Sequence, residues 1–330
     1  MIHVRLFRPN ERPQDISLAD CEAAGGDNAG LVWVEVEAPT DAELAEVGRI
    51  FSLDPLAVQM LRRSTDRSTV RAYETHYVVT ALSLEHEAQP PGAGLSVVEL
   101  DLVLGRWFLV SCHTRPLPFA EELEQRTMTN LRLRRAESAY LLYLILDTLV
   151  THHAEELDEV EDRVEHLEEE LLGEAGRVAL SEAAMLKRYV QLLRRIIAPH
   201  RETFGALVAA DVPWIVQEGL ELYFRDLQSH LAGNIQRLDH MRDAITGSYN
   251  LYISNMSFRL SDLSFRTNEQ LKVLTFLSAV LLPMTVITGL FGTNFPLAEY
   301  NSAIPFYIML AGMGVMSVAL LAFFRWRGWL

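Results

Sequence analysis

Residues 250–294 read NLYISNMSFRLSDLSFRTNEQLKVLTFLSAVLLPMTVITGLFGTN, and this stretch decides the architecture. A row of mostly small polar residues runs through it: Asn250, Ser254, Ser257, Ser261, Ser264, Asn268, Leu271, Thr275, Ser278, Leu282, Thr285 and Gly289. The spacing alternates three and four, so one face of a helix carries the whole row. Residues 273–291 contain no charged side chain and are long enough to cross a hydrocarbon core of ~30 Å. Hydroxyls and amides gain nothing from lipid, so the row must face protein or water. If it faces water, it lines a pore.

Working outward, residues 303–324 form a second uncharged segment of spanning length. Pro283 lies inside the first span, which a membrane helix tolerates when neighbours satisfy the freed carbonyl. The connection 293–302 holds one acid, Glu299, and no lysine or arginine, whereas Lys272 precedes the first span and Arg325 and Arg327 follow the second. The positive-inside rule then puts both termini in the cytoplasm of a multi-pass inner or plasma-membrane protein. Two spans cannot enclose water, so a pore requires several copies of the chain. The competing reading of the row is close helix packing through Ser, Thr and Gly. Against it, the row continues for many turns below the membrane and leads to the amide of Asn294. On the second span, Ala311, Gly312 and Gly314 read as packing residues.

Upstream, residues 1–117 mix strand and helix signals in an α+β pattern, with strands expected at 2–7, 31–36, 77–84 and 95–110, the last broken by Gly105. Thr40 and Glu43 form a capping box for a helix to Ile50, and Asp54-Pro55 opens a second helix. Residues 118–212 are helical: an acidic helix over 140–172, a break at 173–176, and a return helix from Ser181 to about Val208 bearing Lys187, Arg188, Arg194, Arg195 and Arg201. The two read as an antiparallel hairpin of opposite charge. Its acids form either a solvated face or an antenna for metal ions. A third helix is expected over 213–292, ~115 Å long. A loop at 293–302, the second span at 303–324 and a basic tail at 325–330 complete the chain.

The formal charge of −15 excludes a phosphate-neutralising nucleic-acid binder and suits a cation-attracting surface. Cys21 and Cys112, the only cysteines, lie far apart, as in a reducing compartment. Residues 1–6 lack the apolar core of a signal peptide, so targeting is expected from the C-terminal spans. No nucleophile–base set, phosphate loop or zinc-protease spacing points to an enzyme, and His152-His153 and Cys112-His113 read as structural.

At Gly292-Thr293-Asn294 the chain resembles the CorA family of divalent metal-ion transporters, whose hallmark is Gly-Met-Asn at the outer end of the first span. The likeness extends over 51–58, Phe108 to His113, Pro116-Leu117-Pro118, Tyr223-Phe224-Arg225-Asp226 and 267–275, with Pro283, Thr285 and Gly289 at matching offsets. It implies a homopentameric funnel with an α+β cytoplasmic domain, long helices and two C-terminal transmembrane helices per subunit, embedded in the bilayer. It also implies that Gly292, Thr293 and Asn294 form the outer mouth and capture a hydrated ion, with Gly292 allowing a tight turn. Asn268, Thr275, Ser278, Thr285 and Gly289 would be hydrophilic lining, and Leu271, Leu274 and Leu282 hydrophobic constrictions. Asp226, with Glu85 or Glu87 as partner acid, is the implied regulatory metal site. No resident cofactor is implied; the divalent cation (Mg²⁺, Co²⁺ or Zn²⁺) is cargo and regulatory ligand.

Thr293 departs from the hallmark Met, and Thr288-Gly289-Leu290-Phe291-Gly292 is closer to the family's zinc-transporting branch. Three functions therefore stand open on the sequence. The first is a pore for Mg²⁺, with Co²⁺ or Ni²⁺ as alternative cargo. The second is a Zn²⁺ transporter, with or without proton coupling. The third is a membrane-anchored helical scaffold.

Overall fold

The computed structural model describes residues 1–24, 30–85, 95–173, 176–209, 212–292 and 304–328. It divides into two compact units, Met1–Tyr252 and Ile253–Leu330.

The first unit is built on a seven-stranded mixed sheet of β1 (Ile2–Phe7), β2 (Gln14–Asp15), β3 (Leu31–Glu37), β4 (Thr69–Ala72), β5 (His76–Glu85), β6 (Ser96–Gly105) and β7 (Phe108–His113), in the order β2-β1-β3-β7-β6-β5-β4. Among the described strands only β3 and β7 pair in parallel. Side chains alternate across the strands, so one sequence feeds two cores. Val32, Val34, Val36, Val103 and Val110 pack on one face with Leu44, Val47 and Ala57. Leu31, Trp33, Leu100, Leu102 and Leu109 pack on the other with Leu141, Ile145 and Phe204. The first face is covered by α1 (Cys21–Ala24), α2 (Asp41–Ile50) and α3 (Pro55–Leu61). The capping box at α2 forms as the sequence requires: Thr40 Oγ1 accepts from the Glu43 amide at 3.3 Å, and the Thr40 amide donates to the Glu43 carboxylate at 2.8 Å. At α3, Asp54 accepts from the Leu56 amide at 2.7 Å, with Pro55 at the first helical position.

The second face is covered by α4 (Ala120–Thr129), the first half of α5 (Ser138–Leu172) and α7 (His200–Ala209). Beyond the end of β4, no strand among the described residues pairs with the outer edge of β5, and histidines take that role. His153 donates Nε2–H to the Leu82 carbonyl, His200 Nε2 accepts from the Leu82 amide, and His152 donates to the Leu84 carbonyl, each at 3.0 Å. His200 Nδ1–H donates to Ile196, which fixes its neutral tautomer. Burial holds the His200 pKa down at about 4 and lowers His153 as well. The structural reading of His152-His153 holds, and so does that of His113, whose Nδ1 bonds the Arg115 carbonyl at 2.8 Å.

α5, α6 (Gly176–Ile197) and the upper part of α9 (Glu221–Phe291) share an apolar seam. It is written at three–four spacing: Leu157, Val160, Val164, Leu167 and Leu171 on α5; Ala179, Ala183, Leu186, Val190, Leu193 and Ile197 on α6; Phe224, Leu227, Leu231, Leu238, Met241 and Ile245 on α9. Asn234 interrupts the α9 series and donates to the Val150 carbonyl at 3.1 Å, the satisfied polar position that fixes a register. Opposite charges meet on α9: Arg194 of α6 pairs with Asp239 at 2.8 Å, and Arg237 reaches back to Asp158 and Glu161 of α5. The hairpin itself is closed by leucines and valines.

Two helix boundaries differ from the expected ones. The return helix starts at Gly176 and is split before α7, because Pro199 has no amide to continue the ladder. The third helix starts at Glu221, not at 213. A short α8 (Pro213–Gln217) precedes it, and Gly219, at φ +66°, makes the left-handed turn between them. The Glu218 carboxylate in that turn lies by the first turn of α5, its Oε2 buried without a hydrogen-bond partner, and burial raises its pKa to about 7.

In the second unit, α9 passes through Pro283 without ending, and α10 (Ile304–Trp326) runs alongside. Both are long and apolar enough to cross a membrane. The partly buried Met309, Met313, Ser317 and Leu320 of α10 form one row with the buried Phe324, which lies against Phe276 at 5.3 Å between ring centres. Gly312 and Gly314 lie off this row, and among the described residues nothing packs against them.

Candidate functional site

The site is best described by heptad position on α9, counting Asn250 as a. The polar row then occupies a and e throughout. Within the second unit, every a and e residue from Ser254 to Gly289 is exposed. The partly buried residues of the first span are Phe276, Ala279, Val280, Pro283, Met284, Ile287 and Phe291, which lie at b, c, f and g. α10 thus covers the back of α9 and leaves the row free.

The same register extends upward in the first unit. There the seam buried by α5 and α6 falls at c and f, while the a and e positions Leu222, Asp226, Ser229, Gly233, Gln236, His240, Asp243 and Gly247 are exposed. From Leu222 to Gly289, no lysine or arginine occupies an a or e position. The fixed charges on the row are the acids Asp226 and Asp243. Basic side chains lie off the row: Arg266, on the opposite face, pairs with Asp262, and Lys272, on the b flank, pairs with Glu269.

Two apolar flanks border the row between the seam and the first span. On one side, at b, are Leu251, Phe258 and Phe265; on the other, at d and g, are Ile253, Met256, Leu260 and Leu263. All seven are exposed in the single chain. They precede Lys272, so lipid does not account for them, and an uncovered apolar surface of this extent marks an interaction site. A polar row with an apolar seam on each side is the pattern of a helix that touches two neighbours and shows its row to a shared axis.

Within the membrane segment the hydroxyls are oriented. Thr285 donates to the Leu281 carbonyl at 2.8 Å, which turns its oxygen lone pairs outward. A hydrated cation presents O–H donors, so an outward-facing acceptor suits it. Leu271, Leu274 and Leu282 are exposed, with Leu271 and Leu282 on the row and Leu274 one flank position off it. Asn268, Thr275, Ser278 and Gly289 lie on the row as the sequence requires. Gly292 ends α9 by donating to the Thr288 carbonyl at 2.9 Å. Its φ is not left-handed; a Cβ there would meet the Thr288 carbonyl at 3.2 Å, so Gly292 supplies space rather than an unusual turn. Thr293 and Asn294 lie outside the described residues.

The regulatory acids are dispersed within one chain. Asp226 is exposed and faces His230 at 3.8 Å. Glu85 is held by Arg115 and accepts from the Ser96 hydroxyl at 2.6 Å. Glu87 lies outside the described residues. Among the described residues no group of three or more His, Cys, Asp or Glu side chains is arranged to hold a metal ion.

Residues 28–326 match the family described as CorA-like Mg²⁺ transporter protein. The chain belongs to this family. Its members are transporters and not enzymes, and they work in membranes. The chain is similar to the cobalt/magnesium transport protein CorA of Thermotoga maritima, with 26% identity over 92% of this chain and 85% of that protein. It is also similar to the zinc transport protein ZntB of Yersinia enterocolitica, with 29% identity over 46% of this chain and 43% of that protein. Its fold matches the complete structure of the CorA magnesium transporter from Methanocaldococcus jannaschii, with a TM-score of 0.68, 19% identity and coverage of 100% and 99% of the two chains. The family's fold thus extends from the N-terminal sheet to the second span. The apolar flanks of α9 were not foreseen, although the seven-residue spacing of Leu251, Phe258 and Phe265 was visible.

Proposed function

We propose that five copies of the chain form a ring in which the α9 rows face a common axis and conduct divalent cations, with Mg²⁺ as the principal cargo and Co²⁺ and Ni²⁺ as alternatives. One observation carries this reading: the a and e row is exposed, free of basic residues and bordered by apolar flanks that one chain cannot cover. Mg²⁺ gives up its water reluctantly, so a path for it needs neutral acceptors that hold a hydrated ion rather than tight ligands. Asn268, Ser278 and Thr285 are such acceptors. Leu271, Leu274 and Leu282 narrow the path with apolar rings that close by excluding water.

Asn294, with Gly292 and Thr293, forms the outer mouth, and both chain ends lie in the cytoplasm, in keeping with Lys272, Arg325 and Arg327 on the inner side. Asp226 meets an acid of a neighbouring subunit to form a regulatory cation site, with Glu85 released from Arg115, or Glu87, as partner. A Zn²⁺ cargo is favoured by Thr293 in place of Met and by the likeness to a zinc transporter over part of the chain. The row carries no cysteine and His240 is its one imidazole, so zinc would pass hydrated rather than ligated.

The test is uptake of Mg²⁺, Co²⁺ and Zn²⁺ into liposomes containing the protein, with and without an inside-acid pH gradient. Mg²⁺ uptake independent of the gradient, and a loss of at least tenfold in Asn294→Ala, are expected. Zn²⁺ uptake driven by the gradient would favour the second reading. A folded oligomer passing no cation would leave only a scaffold.

A further inference from the structure

Two acids of the first unit play no part in this row. Glu99 and Asp101 lie two residues apart on β6, so both project to the face that carries Val110 and Cys112. Both are deeply buried, at 8% and 6% exposure. Glu99 Oε2 accepts from the Ser64 hydroxyl at 2.7 Å and the Thr65 amide at 2.8 Å, but Oε1 is buried with no hydrogen-bond partner. Asp101 Oδ1 accepts from the Thr80 hydroxyl at 2.5 Å, across the β5–β6 register. Both acids line a pocket of 130 Å³ with Ser64 and Thr114.

A buried carboxylate oxygen left without a partner costs a few kcal/mol, and two neighbouring carboxylates repel. A cation in the pocket would remove both costs. The basic groups at hand do not: Arg62 and Arg63 are exposed at the rim, and Arg62 pairs with Asp41 at 3.2 Å. His113, also in the lining, is committed to Glu35 at 3.3 Å and to the Arg115 carbonyl. Besides the Cys112 thiol, the lining offers oxygen ligands, two of them carboxylates. The pocket has room for an ion together with waters. Mg²⁺ binds in this way, through one or two carboxylates while keeping several waters, whereas Zn²⁺ prefers nitrogen and sulfur.

We propose that Glu99 and Asp101 form a binding site for a partly hydrated divalent cation of the Mg²⁺ class, within a single chain and separate from the α9 row.

The test uses the full-length protein in detergent, with Mn²⁺ as the spectroscopic stand-in for Mg²⁺. Electron paramagnetic resonance counts bound Mn²⁺ per chain in the wild type, Glu99→Gln and Asp101→Asn. Hydrogen exchange of segments 62–66 and 97–113 is followed with and without saturating Mg²⁺. One fewer Mn²⁺ per chain is expected in each variant. In the wild type, Mg²⁺ should slow exchange of both segments at least threefold. Unchanged exchange in the wild type overturns the proposal, and this reading does not depend on the variants folding. Equal Mn²⁺ counts in the wild type and in correctly assembled variants overturn it as well.

Discussion

Phe258 offers a direct measure of whether the α9 flanks are interfaces. Its side chain is 77% exposed in one chain and sits well before the first span, where only another protein surface can cover it. In a closed ring each copy gives its Phe258 flank to one neighbour and receives the opposite flank from the other. Replacing Phe258 by Ser removes about 2 kcal/mol of apolar burial from each interface. Five interfaces lose about 10 kcal/mol in total. Assembly of five chains depends on the fourth power of free-chain concentration. The midpoint therefore moves by exp(10/4RT), about 70-fold to higher concentration.

Native mass spectrometry over a dilution series in detergent reads this shift directly. Asn255→Ser, on the charged opposite face, is the matched control and should leave the midpoint unchanged within about twofold. If Phe258→Ser assembles at the wild-type concentration, the flank is not an interface. The argument that turns the polar row toward a shared axis then fails with it.

Three further outcomes are expected. Thr285→Val keeps the shape of the row but removes its outward acceptor, so Mg²⁺ uptake should fall about tenfold with assembly intact, as read in the liposome assay; unchanged uptake would remove Thr285 from the pathway. Burial raises the Asp101 pKa from 3.8 to about 7, with a smaller push from Glu99. Its stabilising contribution is therefore fully present below about pH 4 and lost as pH rises through about 7. In chelator-treated protein, Asp101→Asn should gain up to ~4 kcal/mol over the wild type at pH 8 and nothing at pH 4, a difference visible in thermal melts followed by tryptophan fluorescence. Burial likewise raises the Glu218 pKa to about 7, so Glu218→Gln should gain stability over the wild type at pH 8 and none at pH 4 in the same melts.

The parts of this protein that were legible in its sequence are those written as local periodicity. The spans, the α2 and α3 caps and the polar row each follow from residues within a few turns of one another, where side-chain chemistry fixes the outcome. The start of α9 was legible too, but Gly219 was passed over: a glycine just beyond a helix end is a stop signal, and here it adopts φ +66°. Pro199 likewise marks the division between α6 and α7. The histidine caps on β5 could not be read, because they depend on β4 ending before Leu82 and on α5 and α7 lying across that edge. The pairing of α6 with α9, through Arg194 and Asp239, is equally a product of tertiary packing. For the candidate pathway, the row was visible and its free side was not, since exposure depends on which face α10 covers.

The row's charge pattern bears on what it can carry. A helix surface facing ordinary solvent would be expected to mix both signs, and α9 does so on its far side with Arg259, Asp262, Arg266 and Glu269. The a and e positions instead hold hydroxyls, amides, glycines, leucines, one histidine and two acids. Lysine or arginine at any of them would be repeated in every copy around a ring, and several like charges a few ångströms from one axis would exclude cations. Close packing alone sets no such rule, because a long basic side chain at the rim of a packed helix can reach solvent. The absence of basic residues at these positions over the described length of α9 therefore favours a cation path over a scaffold. Ser254→Lys separates the two: a scaffold would assemble unchanged and lose no activity, whereas a cation path would lose most of its Mg²⁺ flux while remaining assembled.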